Sequence, residues 1–240
     1  MPTETSRNIA WEALPALFPD LPGPERWLPL LQAHAGLLEA ARNRVRVSAV
    51  PPAEAVRRHY AESLEMLRIV RAAGAEGPLA DVGSGGGVPG LVIAIAEPRL
   101  DVHLIEPLQK RAELLREVAA ELALANVTVH ALRGEEAGRG PLRGRCGVAT
   151  ARAVAELRVL LEYTAPLVRD GGIVALAKGS ALPAEIESAA TALAALGCSS
   201  GEVVAMRPEA GDLQLFLARR HGPPPPKYPR RPGIPERKPL

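Results

Sequence analysis

The stretch Asp81-Val82-Gly83-Ser84-Gly85-Gly86-Gly87-Val88-Pro89-Gly90 decides the fold. A short apolar run, residues 79–83, leads into it, and a helical run, residues 91–96, leads out of it towards Pro98. Strand, glycine-rich turn and helix in that order form the setting in which such a loop binds a nucleotide-like ligand, because residues without Cβ atoms let a ligand approach the backbone.

Downstream the alternation continues. Residues 101–106 and 127–132 read as strands around an amphipathic helix at 108–124, with Leu108, Ala112, Leu115, Ala119 and Leu122 in phase. A fourth strand covers 146–152 and a helix 154–168, before the Asp170-Gly171-Gly172 turn enters a fifth strand at 173–178. One more helix runs to about residue 196, and 202–206 and 213–219 form a closing strand pair. Near-continuous apolar strands separated by helices predict an α/β, doubly wound, seven-stranded and mostly parallel sheet. Ligands of such sheets sit at the carboxyl ends of the strands, beside the point where the strand order reverses.

Upstream, Leu28, Leu31, Ala35, Leu38, Ala41 and Val45 mark one face of a helix over 25–47. After Pro51-Pro52, a second helix over 53–73 carries Val56, Tyr60, Leu64, Leu67 and Val70 on one side. The expected organisation is therefore an N-terminal helical extension at 1–76, a ligand-binding domain at 77–220 and a basic, proline-rich tail at 221–240. The tail is expected to run extended, on or beside the domain.

The totals exclude several classes. The chain has 240 residues, 47% hydrophobic and 23% charged, an ordinary globular balance. No apolar run reaches the ~18–20 residues that span a bilayer, and no signal-peptide core opens the chain, so a cytoplasmic, soluble protein is expected. Cys146 and Cys198 stand apart without neighbouring ligand residues, so neither a disulfide nor a metal site is expected. Net charge is only +2, but residues 219–240 hold seven Lys/Arg against Glu236 alone.

The glycine loop reads two ways. Residues 85–90 fit the G-x-G-x-x-G dinucleotide fingerprint, whereas Gly83, Gly85 and Gly87 fit G-x-G-x-G with Asp81 two residues ahead, the arrangement of S-adenosylmethionine sites. Pro89 removes one amide donor from the helix N-terminus that a pyrophosphate would need, which weighs modestly against the dinucleotide. Under either reading Ser84 and Val88 belong to the loop, and Glu106 closes the second strand where a carboxylate accepts ribose hydroxyls. Gly134-Glu135 follow the third strand, where an adenine would lie.

With their flanks, these residues resemble the RsmG (glucose-inhibited division protein B) family of small-subunit ribosomal RNA guanine-N7 methyltransferases. His59-Tyr60-Ala61-Glu62-Ser63-Leu64 is similar to the family's His-x-x-x-Ser-Leu segment, and DVGSGGGVPG to its cofactor loop. Thr150-Ala151-Arg152-Ala153 and Ala177-Lys178-Gly179 match the segments closing the fourth and fifth strands. The tail Tyr228-Pro229-Arg230-Arg231-Pro232-Gly233-Ile234-Pro235 is the most specific match. One departure is Arg46-Val47-Ser48, where the family often has Asn-Leu-Thr.

The resemblance implies a Rossmann-like class I methyltransferase fold with S-adenosyl-L-methionine as cofactor, and 16S ribosomal RNA or the small subunit as partner of a monomeric enzyme. It implies cofactor contacts at Gly83, Val88, Gly134, Glu135 and Arg152, with Glu106 on the ribose. RNA contacts are expected from Arg44, Arg46, Lys178, Arg230 and Arg231, with Arg42, Arg57, Arg58, Arg237 and Lys238 as further candidates. Guanine N7 carries a lone pair and no proton, so no catalytic acid–base pair is expected and His59 is read as structural. Two other classes stay open: an NAD(P)-dependent oxidoreductase, and a non-catalytic RNA-binding factor on the same fold.

Overall fold

The computed structural model describes residues 9–152 and 155–240. Its centre is a seven-stranded sheet of β1 (Leu79–Val82), β2 (Val102–Ile105), β3 (Val127–His130), β4 (Cys146–Arg152), β5 (Val168–Lys178), β6 (Glu202–Ala205) and β7 (Gln214–Arg219), in the order β3-β2-β1-β4-β5-β7-β6. Strands β1 to β5 run parallel, and β7 runs antiparallel to β5 and β6. From β1 the chain steps outwards through β2 to β3, then crosses back to β4. That reversal opens a crevice at the carboxyl ends of β1 and β4. Asp81 pairs in register with Leu104 on one side and Thr150 on the other, and Arg152 lies opposite Ala177.

Helices cover both faces, so every β1 residue is buried. On one face lie α2 (Pro24–Ala41), α3 (Glu62–Ala72), α4 (Gly90–Ala96) and α5 (Gln109–Glu121), which bring Trp27, Leu31, Leu64, Leu91 and Leu115 into one apolar core. The short α1 (Leu14–Leu17) adds Leu14 and Phe18 to that core. On the other face lie α6 (Gly134–Ala137), α7 (Leu157–Thr164) and α8 (Leu182–Leu196), with Leu157, Leu160, Leu193 and the tail residue Tyr228. Each fully buried leucine contributes about 1.5–3 kcal/mol.

Several boundaries differ from the sequence reading for physical reasons. The helix expected over 25–47 stops at Ala41, because Val47 leaves the helical path to pack over the glycine loop; a Cβ on Gly86 would lie 3.2 Å from Val47 Cβ. The helix expected over 53–73 begins as a 3-10 turn, Pro52–Glu54, and a wide π-type turn, Val56–Ala61, before α3. Such a turn interrupts the helical phase and is a frequent device at functional sites. Leu108, placed by periodicity on a buried face, precedes α5 and is 53% exposed. Strand β5 starts at Val168, and the Asp170-Gly171-Gly172 turn lies within it, with a register shift against β4 between Cys146 and Val148. Ala153 and Val154, expected to follow β4 and begin the next helix, lie outside the described residues, as do residues 1–8. The tail, expected to run extended, contains one helical turn, α9 (Ile234–Arg237). No helix among the described residues is long and apolar enough to cross a membrane.

Candidate cofactor and RNA site

A crevice of about 810 Å3 opens at the switch point. Its floor is the glycine loop, where Gly83, Gly85 and Gly87 take positive φ of 78°, 57° and 82°, values that favour residues without a Cβ. Its far wall is Glu106, 2% exposed at the end of β2. Gly85 N–H donates to Glu106 Oε2 at 2.9 Å and Leu108 N–H to Oε1 at 3.0 Å. A carboxylate has about four acceptor positions, so two remain for a pair of ribose hydroxyls. Exposed Leu108 stands at the lip beside Pro107.

Asp81 does not line the crevice. It is 1% exposed, and its Oδ2 accepts Gly90 N–H, the first amide of α4, at 3.1 Å. Burial raises its pKa to about 7, against the lowering by that amide and by Ser84. Most other amides around the start of α4 also have partners: Gly87 and Val88 donate to Ser84 O, and Leu91 to Gly87 O. Free amides at a helix N-terminus are what a pyrophosphate needs. Here most are consumed and Pro89 has none, which weighs against a pyrophosphate and suits a nucleoside ligand without phosphates.

The near wall belongs to the N-terminal helices. The π-type turn places His59 in the crevice, with Nδ1 3.1 Å from Arg152 Nη2 and Nε2 2.9 Å from Ser48 Oγ. Nδ1 also lies 3.2 Å from the Arg58 carbonyl oxygen, so it can accept from Arg152 or donate to Arg58, and the Ser48 hydroxyl can serve Nε2 in either tautomer. Burial, with Arg152 beside it, lowers the His59 pKa to about 4, which keeps the ring neutral at pH 7. Arg152 also donates from Nη1 to the Arg58 carbonyl and to Glu62 Oε2, the latter at 3.1 Å. Burial pushes Glu62 up to about 7 although Arg152 pulls it down. Arg57 clamps Asp212 through two 2.7 Å bonds at the same mouth.

The structure thus brings Gly83, Ser84, Gly85, Val88, Glu106 and Arg152 together around one cavity. Gly87 shapes the loop from behind, and a Cβ there would run into Leu91 Cδ1. Gly134 and Glu135 sit behind the wall. A Cβ on Gly134 would meet Tyr163 and Val82 at 3.1 Å, and Glu135 Oε1 accepts Gly233 N–H from the tail at 2.8 Å.

Three of the expected RNA contacts are engaged within the protein. Arg230 is spent on Glu162, a fully buried carboxylate that it grips from Nε and Nη2 at 2.6–3.1 Å. Lys178 donates to Ala155 O at 2.7 Å and pairs with Glu185 at 2.8 Å. Arg57 is buried on Asp212. Arg44, Arg46 and Arg231 are exposed, as are Arg42, Arg58, Arg237 and Lys238. Sequence reasoning missed Ser48, Leu108 and His59 as crevice residues. The signal for His59 was present in its fixed spacing to Ser63, whereas the π-type turn that aims it left no trace in the periodicity.

The family described as GidB, rRNA small subunit methyltransferase G, matches residues 30–213. The chain belongs to this family. Relatives named ribosomal RNA small subunit methyltransferase G include that of Roseiflexus castenholzii, 38% identical over 90% of this chain and 93% of its own. That of Chloroflexus aggregans is 44% identical over 77% and 78%, and that of Sorangium cellulosum 40% over 77% and 75%. Among solved structures, the fold is similar to cofactor-bound Rv0187 from MTB, with TM-score 0.56 at 19% identity, covering 81% of this chain and 91% of that one. It is also similar to the tRNA (m1A58) methyltransferase TrmI of Aquifex aeolicus, with TM-score 0.51 at 16% identity, covering 66% and 68%. The sheet is that of the class I S-adenosylmethionine-dependent methyltransferases.

Proposed function

We infer that this chain is an S-adenosylmethionine-dependent methyltransferase that modifies N7 of a guanine in 16S ribosomal RNA. The observation that carries the cofactor is the glycine loop, most of its helix amides already bonded, facing a buried carboxylate with two free acceptor positions. Family membership carries the RNA.

Bound S-adenosylmethionine supplies a methyl group already activated by its sulfonium. The residues of the chain are left to hold and align. Glu106 accepts the ribose hydroxyls, and Gly83, Ser84, Gly85 and Val88 line the channel beside them. Gly134 and Glu135 form the backing of the adenine end rather than its surface. Arg152 keeps N–H groups beyond those used on Glu62, His59 and Arg58, and these suit a carboxylate. Guanine N7 has no proton to lose, so no base is required, and neutral His59 fits a positioning role better than an acid's. Rate then comes chiefly from bringing nucleophile and methyl carbon into line. Arg44, Arg46 and Arg231 are the exposed cations proposed to meet phosphates.

Incubating the protein with methyl-labelled S-adenosylmethionine and unmethylated small-subunit RNA, then mapping 7-methylguanosine, tests this reading. Label should appear at one guanine. Binding of NAD in place of S-adenosylmethionine would overturn the cofactor, and cofactor binding without transfer to RNA would overturn the reaction.

A further inference from the structure

Helix α2 carries a titratable side chain to the back of the glycine loop. His34 is 0% exposed, with Nε2 2.9 Å from the Gly86 carbonyl oxygen and Nδ1 3.0 Å from Tyr60 Oη. A carbonyl only accepts, so Nε2 carries the proton; Nδ1 is then an acceptor and the Tyr60 hydroxyl donates to it. One neutral tautomer satisfies every polar atom of the pair.

The loop is held on its other side as well. Gly85 N–H, on the preceding residue, is bonded to Glu106. The space a Gly86 side chain would need is occupied by Leu38 Cδ1 and Val47 Cβ, at 3.3 and 3.2 Å. Tyr60 packs against Trp11, with ring centroids 4.6 Å apart, and follows His59, which faces Arg152 across the crevice. The loop's own side chains hold its ends, with Ser84 Oγ donating to Asp81 O at 2.9 Å and Asp81 Oδ2 accepting Gly90 N–H at 3.1 Å, but its middle from Gly85 to Gly87 has no side chains with which to fix its peptide planes. Its orientation is therefore set from outside, by the sheet at Glu106 and by the N-terminal extension at His34.

We propose that His34 is a positioning residue of the methyltransferase, which fixes the Gly86 peptide of the cofactor loop and, through Tyr60, ties that loop to the His59–Arg152 wall. The proposal rests on the assignment of the crevice to S-adenosylmethionine. It makes the N-terminal extension a working part of the cofactor site, not only a surface for RNA. Burial, opposed only by the Gly86 carbonyl, lowers the pKa of His34 to about 4, so the bridge persists throughout the neutral range.

The test measures S-adenosylmethionine affinity by calorimetry and RNA affinity by filter binding, on full-length wild type, His34→Phe, His34→Gln and Tyr60→Phe. His34→Phe keeps the ring volume and loses the donor, so the cofactor Kd should rise about tenfold, equivalent to about 1.4 kcal/mol, with RNA affinity within about twofold. His34→Gln keeps an N–H directed at Gly86 and should recover most of the loss. Tyr60→Phe removes only a hydroxyl and should weaken the cofactor about threefold; it remains informative if His34→Phe does not fold. A cofactor Kd unchanged in both Phe variants, even with a lowered Tm, overturns the role of His34 while leaving the crevice assignment standing. Wild type that does not bind S-adenosylmethionine overturns the assignment itself.

Discussion

The two ends of the chain bring arginines to opposite faces of one sheet and use them in opposite ways. In the N-terminal cover, Arg42 and Arg44 pair with Glu39 and Glu117 at 3.3 Å, all four side chains more than half exposed. Exposed pairs of this kind contribute ~0–1 kcal/mol and exchange readily for other anions. In the tail, Arg230 is pressed onto Glu162, which has no exposure at all. Arg143 donates to the carbonyls of Gly138, Pro224, Pro225 and Tyr228 at 2.7–3.0 Å. A proline-rich segment has few N–H groups of its own, so a five-donor guanidinium stitches its carbonyls to the domain. Whether an arginine is available to RNA depends on what faces it, and a count of basic residues does not record that.

The contrast breaks most readily at Arg230. Arg230→Ala leaves Glu162 buried without its cation and should cost about 3 kcal/mol, the low end for a broken buried pair, because the Arg230 backbone N–H still donates to Glu162 Oε1 at 2.7 Å. Chemical denaturation gives the value. Arg231→Ala, one residue on and exposed, should change stability by less than about 0.5 kcal/mol. Equal losses in the two variants would erase the distinction drawn between the ends of the chain.

A second effect, of similar size, belongs to the N-terminal side and depends on pH. The folded-state pKa of His34 is about 4, below its unfolded value of 6.5. Between those values the unfolded chain takes up a proton that the native state refuses, so His34 lowers stability as pH falls from about 6.5 to about 4. At ~1.4 kcal/mol per unit the integrated loss is about 3 kcal/mol. His34→Gln lacks this titration. The stability difference between wild type and variant should therefore move in favour of the variant by up to that amount as the pH drops, while Asp81, Glu62 and His59 titrate alike in both. A pH-independent difference would mean that His34 is not neutral in the fold.

Legibility in the sequence followed the same division. The sheet was readable because β1, β2 and β4 are apolar runs between helices, and the glycine loop because its spacing is a backbone requirement. Glu106 and Arg152 were readable because strand ends are fixed by that pattern. What escaped was set by contacts across long separations. His34 reaches Gly86 over 52 residues, Arg57 reaches Asp212 over 155, and Arg230 reaches Glu162 over 68. On paper, buried Glu162 is one polar position in α7, and nothing local marks it as the partner that removes Arg230 from the surface. Val47 and Leu108 were misplaced for a related reason. Periodicity put Val47 at the end of a helix and Leu108 on a helix face, whereas one covers the glycine loop and the other forms the lip of the crevice.

The smallest effect tests the surface that remains. Arg46 is exposed and lines a second cavity beside the crevice with Arg42 and Trp11. If it meets a phosphate, Arg46→Ala should weaken RNA binding only a few-fold at low salt, and the slope of log affinity against log salt should fall by about 0.7–0.9. Arg230→Ala, measured where it is still folded, should leave that slope unchanged, since its guanidinium is already neutralised inside the protein. The salt slope separates the two ends more cleanly than affinity does. A partly unfolded variant binds less RNA at every salt concentration, whereas removal of a single phosphate contact changes how binding responds to salt. A flattened slope for Arg230→Ala would show that its pair with Glu162 opens when RNA arrives, and the tail would then rejoin the RNA surface.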